Sequence, residues 1–169
     1  MSLSLYDVSV PVFRQYLGAL SGVLGKAQAS GLPEADLLGA RLFEDMQPFT
    51  FQVMQSIGHS AGAVATLRGE SYPRASDLPT LAACKAAMDA AVAYLDGVTP
   101  GDLRIDPETD VSLALPGRTL TFTAKGYLLT FAYGNFFFHV TTAYDILRHK
   151  GVAIGKRDFL GAVQMKAMA

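Results

Sequence analysis

The sequence predicts an all-α protein, an up-down four-helix bundle with a short β-hairpin between the third and fourth helices. Four segments carry apolar residues at helical spacing. Proline or small polar residues stand where these segments begin, and glycine follows most of their ends. One further segment alternates apolar and polar residues around a Pro-Gly pair, which is typical of a hairpin.

The first helix is predicted from Val10 to Gln28. Ser9 can cap its first turn, and Pro11 lies where a missing backbone N–H costs nothing. Apolar side chains recur every three or four residues along it, so one face points to a core. Gly31 and Pro33 end the helical pattern. A further short helical turn is expected within residues 37–44.

The second helix is predicted from Pro48 to Leu67, with His59 near its middle. The third is predicted to begin after Asp77, a capping residue, with Pro79 in its first turn, and to end near Leu95. Seven alanines give this third helix a strong propensity and allow a neighbour to approach closely.

The hairpin is predicted from the alternating segments 111–115 and 118–122, joined by Pro116 and Gly117. A lone hairpin is marginal in water, so it must pack on the helices. The fourth helix follows Thr123 and runs to about Lys150, where Gly151 stops it. This helix is apolar on nearly all sides, which is typical of a central helix.

Composition excludes several classes of protein. The chain has 169 residues, 50% of them hydrophobic and 17% charged, which is far from the composition of a disordered chain. This length suits one domain over residues 1–169. A net charge of −1 argues against nucleic-acid binding, which needs a basic excess. The single cysteine, Cys84, excludes a disulfide framework within the chain and is expected to be packed and inert.

A cytoplasmic location is expected, because no basic residue precedes the apolar stretch near the N-terminus. The uncharged stretch from Gly126 to Tyr144 has the length of a membrane span. Its content includes Asn135, His139 and several threonines, which favours a helix buried in the bundle. No membrane association is expected.

Three polar residues on apolar helices are the candidate site. Asn135 and His139 lie four apart and share a helix face, and His59 lies on the second helix. Facing helices of a bundle can bring such side chains together around a metal or a ligand. The alternative interpretation makes both histidines structural, each bonded to backbone or hydroxyl groups. His149, at the end of the fourth helix, most simply complements the helix dipole or pairs with Asp145.

Longer stretches of the chain resemble a known family. They are Ser4 to Phe13, Asp45 to Phe49, and above all Thr119 to Gly161, which contains the Asn-Phe-Phe-Phe-His run 135–139 and the Gly-Lys-Arg-Asp-Phe-Leu-Gly run 155–161. On these the chain resembles the DinB/YfiT-like metalloenzymes, and within them an uncharacterised branch named only as a domain of unknown function.

The resemblance implies a DinB-like bundle that binds a divalent metal, often nickel or zinc, through three histidines. His59 matches the ligand from the second helix, and His139 matches the second member of a His-x-x-x-His pair on the last helix. Asn135 stands where the first member would be, so one of three strong ligands is lost. Relatives include thiol-dependent transferases and a maleylpyruvate isomerase, and they often form dimers.

Three functions therefore stay open. The first is a degenerate metal site that binds a small molecule in a polar pocket formed by His59, Asn135 and His139. The second is a divalent-metal-dependent enzyme of the thiol transferase or isomerase type. The third is a non-catalytic interaction protein. A homodimer is expected in each case, because half of the residues are apolar and a small bundle cannot hide them all.

Overall fold

A computed structural model describes residues 3–166 of the chain. The predicted domain of residues 1–169 also includes 1–2 and 167–169, which lie outside the described residues. The elements run in the order α1 (Val10–Gln28), α2 (Glu34–Leu38), α3 (Phe49–Gly58), α4 (Ala61–Leu67), α5 (Leu81–Asp96), a 3-10 turn (Pro100–Leu103), β1 (Asp110–Leu115), β2 (Arg118–Thr123), α6 (Ala124–Gly126), a π-helical segment (Tyr127–Ala132), α7 (Tyr133–His149) and α8 (Lys156–Leu160). The predicted helical fold with one hairpin is confirmed.

Helices that follow one another along the chain are not the main neighbours. Helix α1 packs chiefly on α5 and also on α7, while α3 packs chiefly on α7 and also on α5. In the simplest up-down arrangement each long helix would pack on the next one. The connections over residues 29–48 and 97–123 are long enough to cross an end of the molecule. The pairing that results places α3 directly against α7, the two helices that carry the candidate residues.

One continuous apolar core joins these helices. Phe13 of α1, Phe49 of α3 and Phe136 of α7 are each fully buried. Phe13 and Phe136 meet edge to face, with ring centroids 4.8 Å apart. Edge-to-face contact places the positive ring edge on the negative ring face, so it adds to the gain from burial. The aromatic residues of the last helix thus tie α7 to α1.

Two predicted helix starts need correction. Ser9 does not cap α1, because its hydroxyl donates to the carbonyl oxygen of Leu5 at 2.5 Å. Helix α5 begins at Leu81 rather than just after Asp77. Its cap is Thr80, whose hydroxyl accepts the backbone N–H of Ala83 at 3.0 Å. A side-chain oxygen at this position satisfies an otherwise free donor of the first turn.

The predicted second helix is broken in two. Helix α3 ends at Gly58, and α4 begins at Ala61. Between them the hydroxyl of Ser60 donates to the carbonyl oxygen of Ser56 at 2.6 Å, while its backbone N–H bonds to Ile57 three residues back. Serine hydroxyls compete with the helical ladder for carbonyl groups, and this favours a bend. The break places His59 at the bend itself.

The predicted fourth helix is continuous but changes its winding. A short α-turn, α6, is capped by the Thr123 hydroxyl, which accepts the N–H of Gly126 at 3.0 Å. The π-helical segment follows and leads directly into α7. A π segment adds a residue to the turn and is frequent at functional sites. Compared with a regular α-helix, the extra residue rotates the side chains that follow about the helix axis, including those at positions 135 and 139.

The hairpin covers the end of this helical tract. Strands β1 and β2 are antiparallel, with Leu113 opposite Leu120. The Phe122 ring lies 5.4 Å from that of Phe131 and 5.9 Å from that of Tyr127, so the hairpin packs on the π-helical segment. Over residues 3–166, no helix has both the length and the apolar character needed to cross a membrane.

Candidate functional site

His59 is the residue at the bend between α3 and α4. Its backbone still donates to Gln55 as in a helix, at 2.9 Å, but the ladder breaks at the next residue. The side chain is half-buried, with fully buried neighbours at Ser60 and Ile57. Its ring lies beside that of His139 on α7.

His139 lies in the second turn of α7 and faces His59. The two imidazole rings are nearly parallel, with an interplanar angle of 8° and centroids 5.8 Å apart. His139 is also half-buried, beside the fully buried Val140. The structure therefore brings together the two histidines that the sequence analysis selected.

Gln52 is the residue of this site that the sequence analysis missed. It lies on α3 and is only 2% exposed, and its side-chain oxygen Oε1 is 2.8 Å from Nδ1 of His139. Its side-chain nitrogen Nε2 donates to the backbone carbonyl of Gln47 at 2.9 Å. Gln52 stands seven residues before His59, two turns along the same helical segment. A glutamine between two apolar residues, on the same helix face as His59, was the sequence signal that could have identified it.

Aromatic rings surround the two imidazoles. The ring of Phe131 meets that of His59 edge to face at 5.7 Å, and Phe51 meets His139 in the same manner at 6.0 Å. Phe138 contacts His139 at 5.2 Å and is 55% exposed. The polar atoms thus lie between apolar walls contributed by α3, α7 and the π-helical segment.

Asn135 makes a hydrogen bond within its own helical tract. Its side-chain Nδ2 donates to the carbonyl oxygen of Phe131 at 2.8 Å, one turn earlier in its own helical tract. This bond holds the backbone of the residue whose ring contacts His59. The amide of Asn135 therefore supports the π-helical segment, and its oxygen Oδ1 and its second N–H are left to meet a ligand.

The surroundings favour the neutral form of both histidines. Burial, then the adjacent His139 and the positive charge of Arg74, lower the pKa of His59 to about 4. Burial lowers the pKa of His139 as well. A group taken partly out of water disfavours its charged form. Near neutral pH, therefore, both imidazoles are uncharged and carry one lone pair each.

Three imidazole nitrogens of the site are open. Across residues 3–166, neither nitrogen of His59 nor Nε2 of His139 has a hydrogen-bond partner. In the same range, no buried side-chain nitrogen or oxygen lacks a partner. These three atoms are consequently reached by solvent, and a ligand can reach them too.

The donor set falls short of the three-ligand metal centre that the sequence resemblance implies. In the described part of the chain, no three His, Cys, Asp or Glu side chains are grouped so that they could hold a metal ion. Catalytic zinc normally has three protein ligands and an open position. His59 and His139 supply two, and the Asn135 amide that replaces the third donates to the backbone carbonyl of Phe131. The residues present therefore do not fit that centre.

The remaining singled-out residues lie elsewhere. Cys84 is fully buried on α5, and burial, together with nearby Glu34, raises the pKa of its thiol to about 11. His149 is exposed in the last turn of α7. A cavity of about 440 Å³ lies between α1 and residues 157–164, and none of these candidates lines it.

Comparisons with known proteins agree with the fold. Residues 5–160 match the family described as "Domain of unknown function (DUF1993)". The crystal structure of a DinB family member from Shewanella denitrificans is 31% identical in sequence, with a TM-score of 0.84, and the match covers 97% of this chain and 96% of that chain. No protein with a curated function matches the chain. The chain therefore belongs to this domain-of-unknown-function family and is a DinB-like protein.

Proposed function

We propose that this DinB-like domain binds a small molecule at His59 and His139, in a degenerate form of a metal site. The observation that carries the proposal is the pair of near-parallel imidazoles with centroids 5.8 Å apart and three open nitrogens. A buried structural pair would have its nitrogens bonded to protein groups. Here only Nδ1 of His139 is bonded in that way.

The chemistry of the walls indicates the class of ligand. Phe51, Phe131 and Phe138 offer aromatic surface, while the two neutral imidazoles offer hydrogen-bonding groups. Sites of this kind take ligands whose body is apolar and whose few polar atoms are matched individually. The proposed ligand is a neutral small molecule with an aromatic or apolar body and one polar hydrogen. The Asn135 oxygen is a second polar contact at the edge of the site.

A titration with phenol tests this proposal. Phenol is neutral, aromatic and carries one O–H. We expect amide and imidazole NMR shifts that saturate and that centre on His59 and His139. The variant His139→Ala should lose them, and His149→Ala, at the exposed end of α7, should keep them. Shifts that are absent, or that persist in His139→Ala, would refute a small-molecule site here.

A second candidate function is binding of nickel or zinc, as in a metal-dependent transferase or isomerase. The ring separation favours it, since two imidazoles that share a metal at about 2.0–2.1 Å have centroids roughly this far apart. Two ligands support only weak binding, so no reaction is assigned to such a metal. Calorimetric titration of tag-free protein with zinc or nickel chloride tests metal binding. A heat of binding with one metal per chain, abolished in His59→Ala, would favour the metal over the small molecule.

The arrangement of the helices and their assembly belong to the same proposal. We propose that α1, α3–α4, α5 and the tract from α6 to α7 form a four-helix bundle with two crossing connections. We also propose a homodimer, in which each copy covers exposed apolar side chains of the other. Phe43 and Phe138 are 64% and 55% exposed, and they are the apolar surface that a second copy would cover in this proposal.

A further inference from the structure

The side chain of Gln52 connects α7 to the loop that precedes α3. At one end its Nε2 lies 2.9 Å from the backbone carbonyl oxygen of Gln47, and at the other its Oε1 lies 2.8 Å from Nδ1 of His139. The side chain is 2% exposed, so water does not compete for either bond. Its own backbone carbonyl also accepts the Ser56 hydroxyl at 2.8 Å. The position of this amide is therefore well defined.

Only one assignment of donor and acceptor is possible for the two hydrogen bonds of the Gln52 side chain. A backbone carbonyl oxygen can accept but cannot donate, so the NH2 group of Gln52 must face Gln47. The amide oxygen must then face His139, and it too can only accept. Nδ1 of His139 must consequently carry a hydrogen. In a neutral imidazole the other nitrogen, Nε2, then carries the lone pair.

We infer that Gln52 is the positioning residue of the proposed site: it holds His139 as the Nδ1–H tautomer and so presents a lone pair at Nε2. This inference rests on the proposed function for its ligand class. A site with an acceptor at Nε2 prefers a ligand that donates a hydrogen, such as a hydroxyl or an N–H group. A ligand with only acceptor atoms would place one of its lone pairs against the lone pair of Nε2, and the two would repel each other.

Histidine NMR tests the positioning role directly, without a ligand. Protein labelled with ¹⁵N at histidine is measured at about pH 8, where an imidazole is neutral. We expect His139 to show a hydrogen-bearing Nδ1 and a bare Nε2. In Gln52→Met, which keeps the length of the side chain but removes the amide, the hydrogen should move largely to Nε2. Gln55→Met, on the same helix and also partly buried, is the matched control and should leave His139 unchanged.

Two results would overturn the positioning role. One is a wild-type protein whose His139 carries its hydrogen on Nε2 or divides it between the nitrogens. The other is a folded Gln52→Met variant with an unchanged tautomer. Should that variant fail to fold, as judged by circular dichroism, the wild-type spectrum still decides the question.

A pair of probes tests the ligand class. Phenol and anisole differ in that the methyl ether has no O–H to donate. Wild-type protein should bind phenol about 3- to 10-fold more tightly, the range expected of one hydrogen bond, and Gln52→Met should lose most of this preference. Equal binding of both probes by the wild type would overturn the donor specificity. Binding of neither would overturn the proposed function, whereas the tautomer measurement decides the role of Gln52 by itself.

Discussion

The imidazoles of His59 and His139 lie nearly parallel, with centroids 5.8 Å apart, although they come from different helices. Each ring is half-buried and each is close to a second basic group, so adding a proton to either is unfavourable. This relationship links the site to the stability of the whole fold, because a proton that is disfavoured in the folded state is accepted readily in the unfolded chain.

We expect the protein to lose stability as the pH falls from about 6.5 towards 4. The folded pKa of His59, about 4, lies below its ordinary value of 6.5. In that window the unfolded chain binds more protons, so the free energy of unfolding falls with pH. This lowering of the pKa corresponds to at most about 3.5 kcal/mol, and solvent screening reduces this to about 1–2 kcal/mol.

Urea unfolding at pH 7 and pH 5 measures this effect, with His59→Phe as the comparison. Phenylalanine keeps a flat ring of similar size but takes up no proton. The variant should lose less stability than the wild type between the two pH values, while His139, whose pKa is lowered in the same direction, still contributes in both proteins. Equal losses would contradict a depressed pKa at His59.

Replacing Asn135 by His should create a metal site. Positions 135 and 139 share a helix face, and His59 already faces this helix, so the variant supplies a third imidazole. Nickel or zinc at about 100 times its dissociation constant stabilises the native state by about 2.7 kcal/mol. That corresponds to a rise in Tm of about 5–10 °C for a chain of this size.

Thermal melting with and without nickel or zinc is the measurement, and Asn135→Ala is the matched control. Both variants lose the bond from the amide to the Phe131 carbonyl, so only the imidazole distinguishes them. A metal-dependent rise that is the same in both variants would show that position 135 does not face the histidine pair.

Truncation of two phenylalanines of α7 should cost very different amounts of unfolding free energy. Phe136 is fully buried and meets Phe13 edge to face, so Phe136→Ala should cost about 3–5 kcal/mol of unfolding free energy. Phe138, two residues away and 55% exposed, should cost less than about 1 kcal/mol. Denaturant unfolding of both variants checks this. Similar costs would mean that α7 is rotated relative to the core.

Cys84 should be inert in the folded protein. Its side chain is fully buried, and the raised pKa of about 11 leaves almost no thiolate at neutral pH. Reaction with a disulfide reagent should be undetectable in native protein and complete in concentrated guanidinium. A fast reaction under native conditions would show that α5 opens locally.

The proposed homodimer should depend on Phe138. Light scattering at micromolar concentration should give twice the mass of the chain for the wild type. Phe138→Ser should shift the mass towards that of a monomer, because the variant has less apolar surface to bury in the dimer interface. Met165→Ser changes an exposed apolar residue outside α7 and is the control. A monomeric wild type would refute the dimer.

Elements whose signals are local could be predicted from the sequence. Helix α1 begins and ends at the predicted residues, Val10 and Gln28, because a proline in the first turn and the apolar periodicity act within one segment. The hairpin has the predicted turn at Pro116 and Gly117, where glycine adopts the positive φ that the turn requires. The choice of His59 and His139 also came from the chain alone, through periodicity and resemblance.

The bend at His59 and the bond from Asn135 to the Phe131 carbonyl are local, but apolar periodicity does not reveal bonds from side chains to backbone carbonyls. Packing between distant segments accounts for the role of Gln52. Gln52 faces His139 only because α3 packs on α7, a pairing between helices that are not neighbours along the chain. The two residues stand 87 positions apart. A hydrogen bond needs its two atoms within about 3 Å, so this bond exists only once the helices are packed.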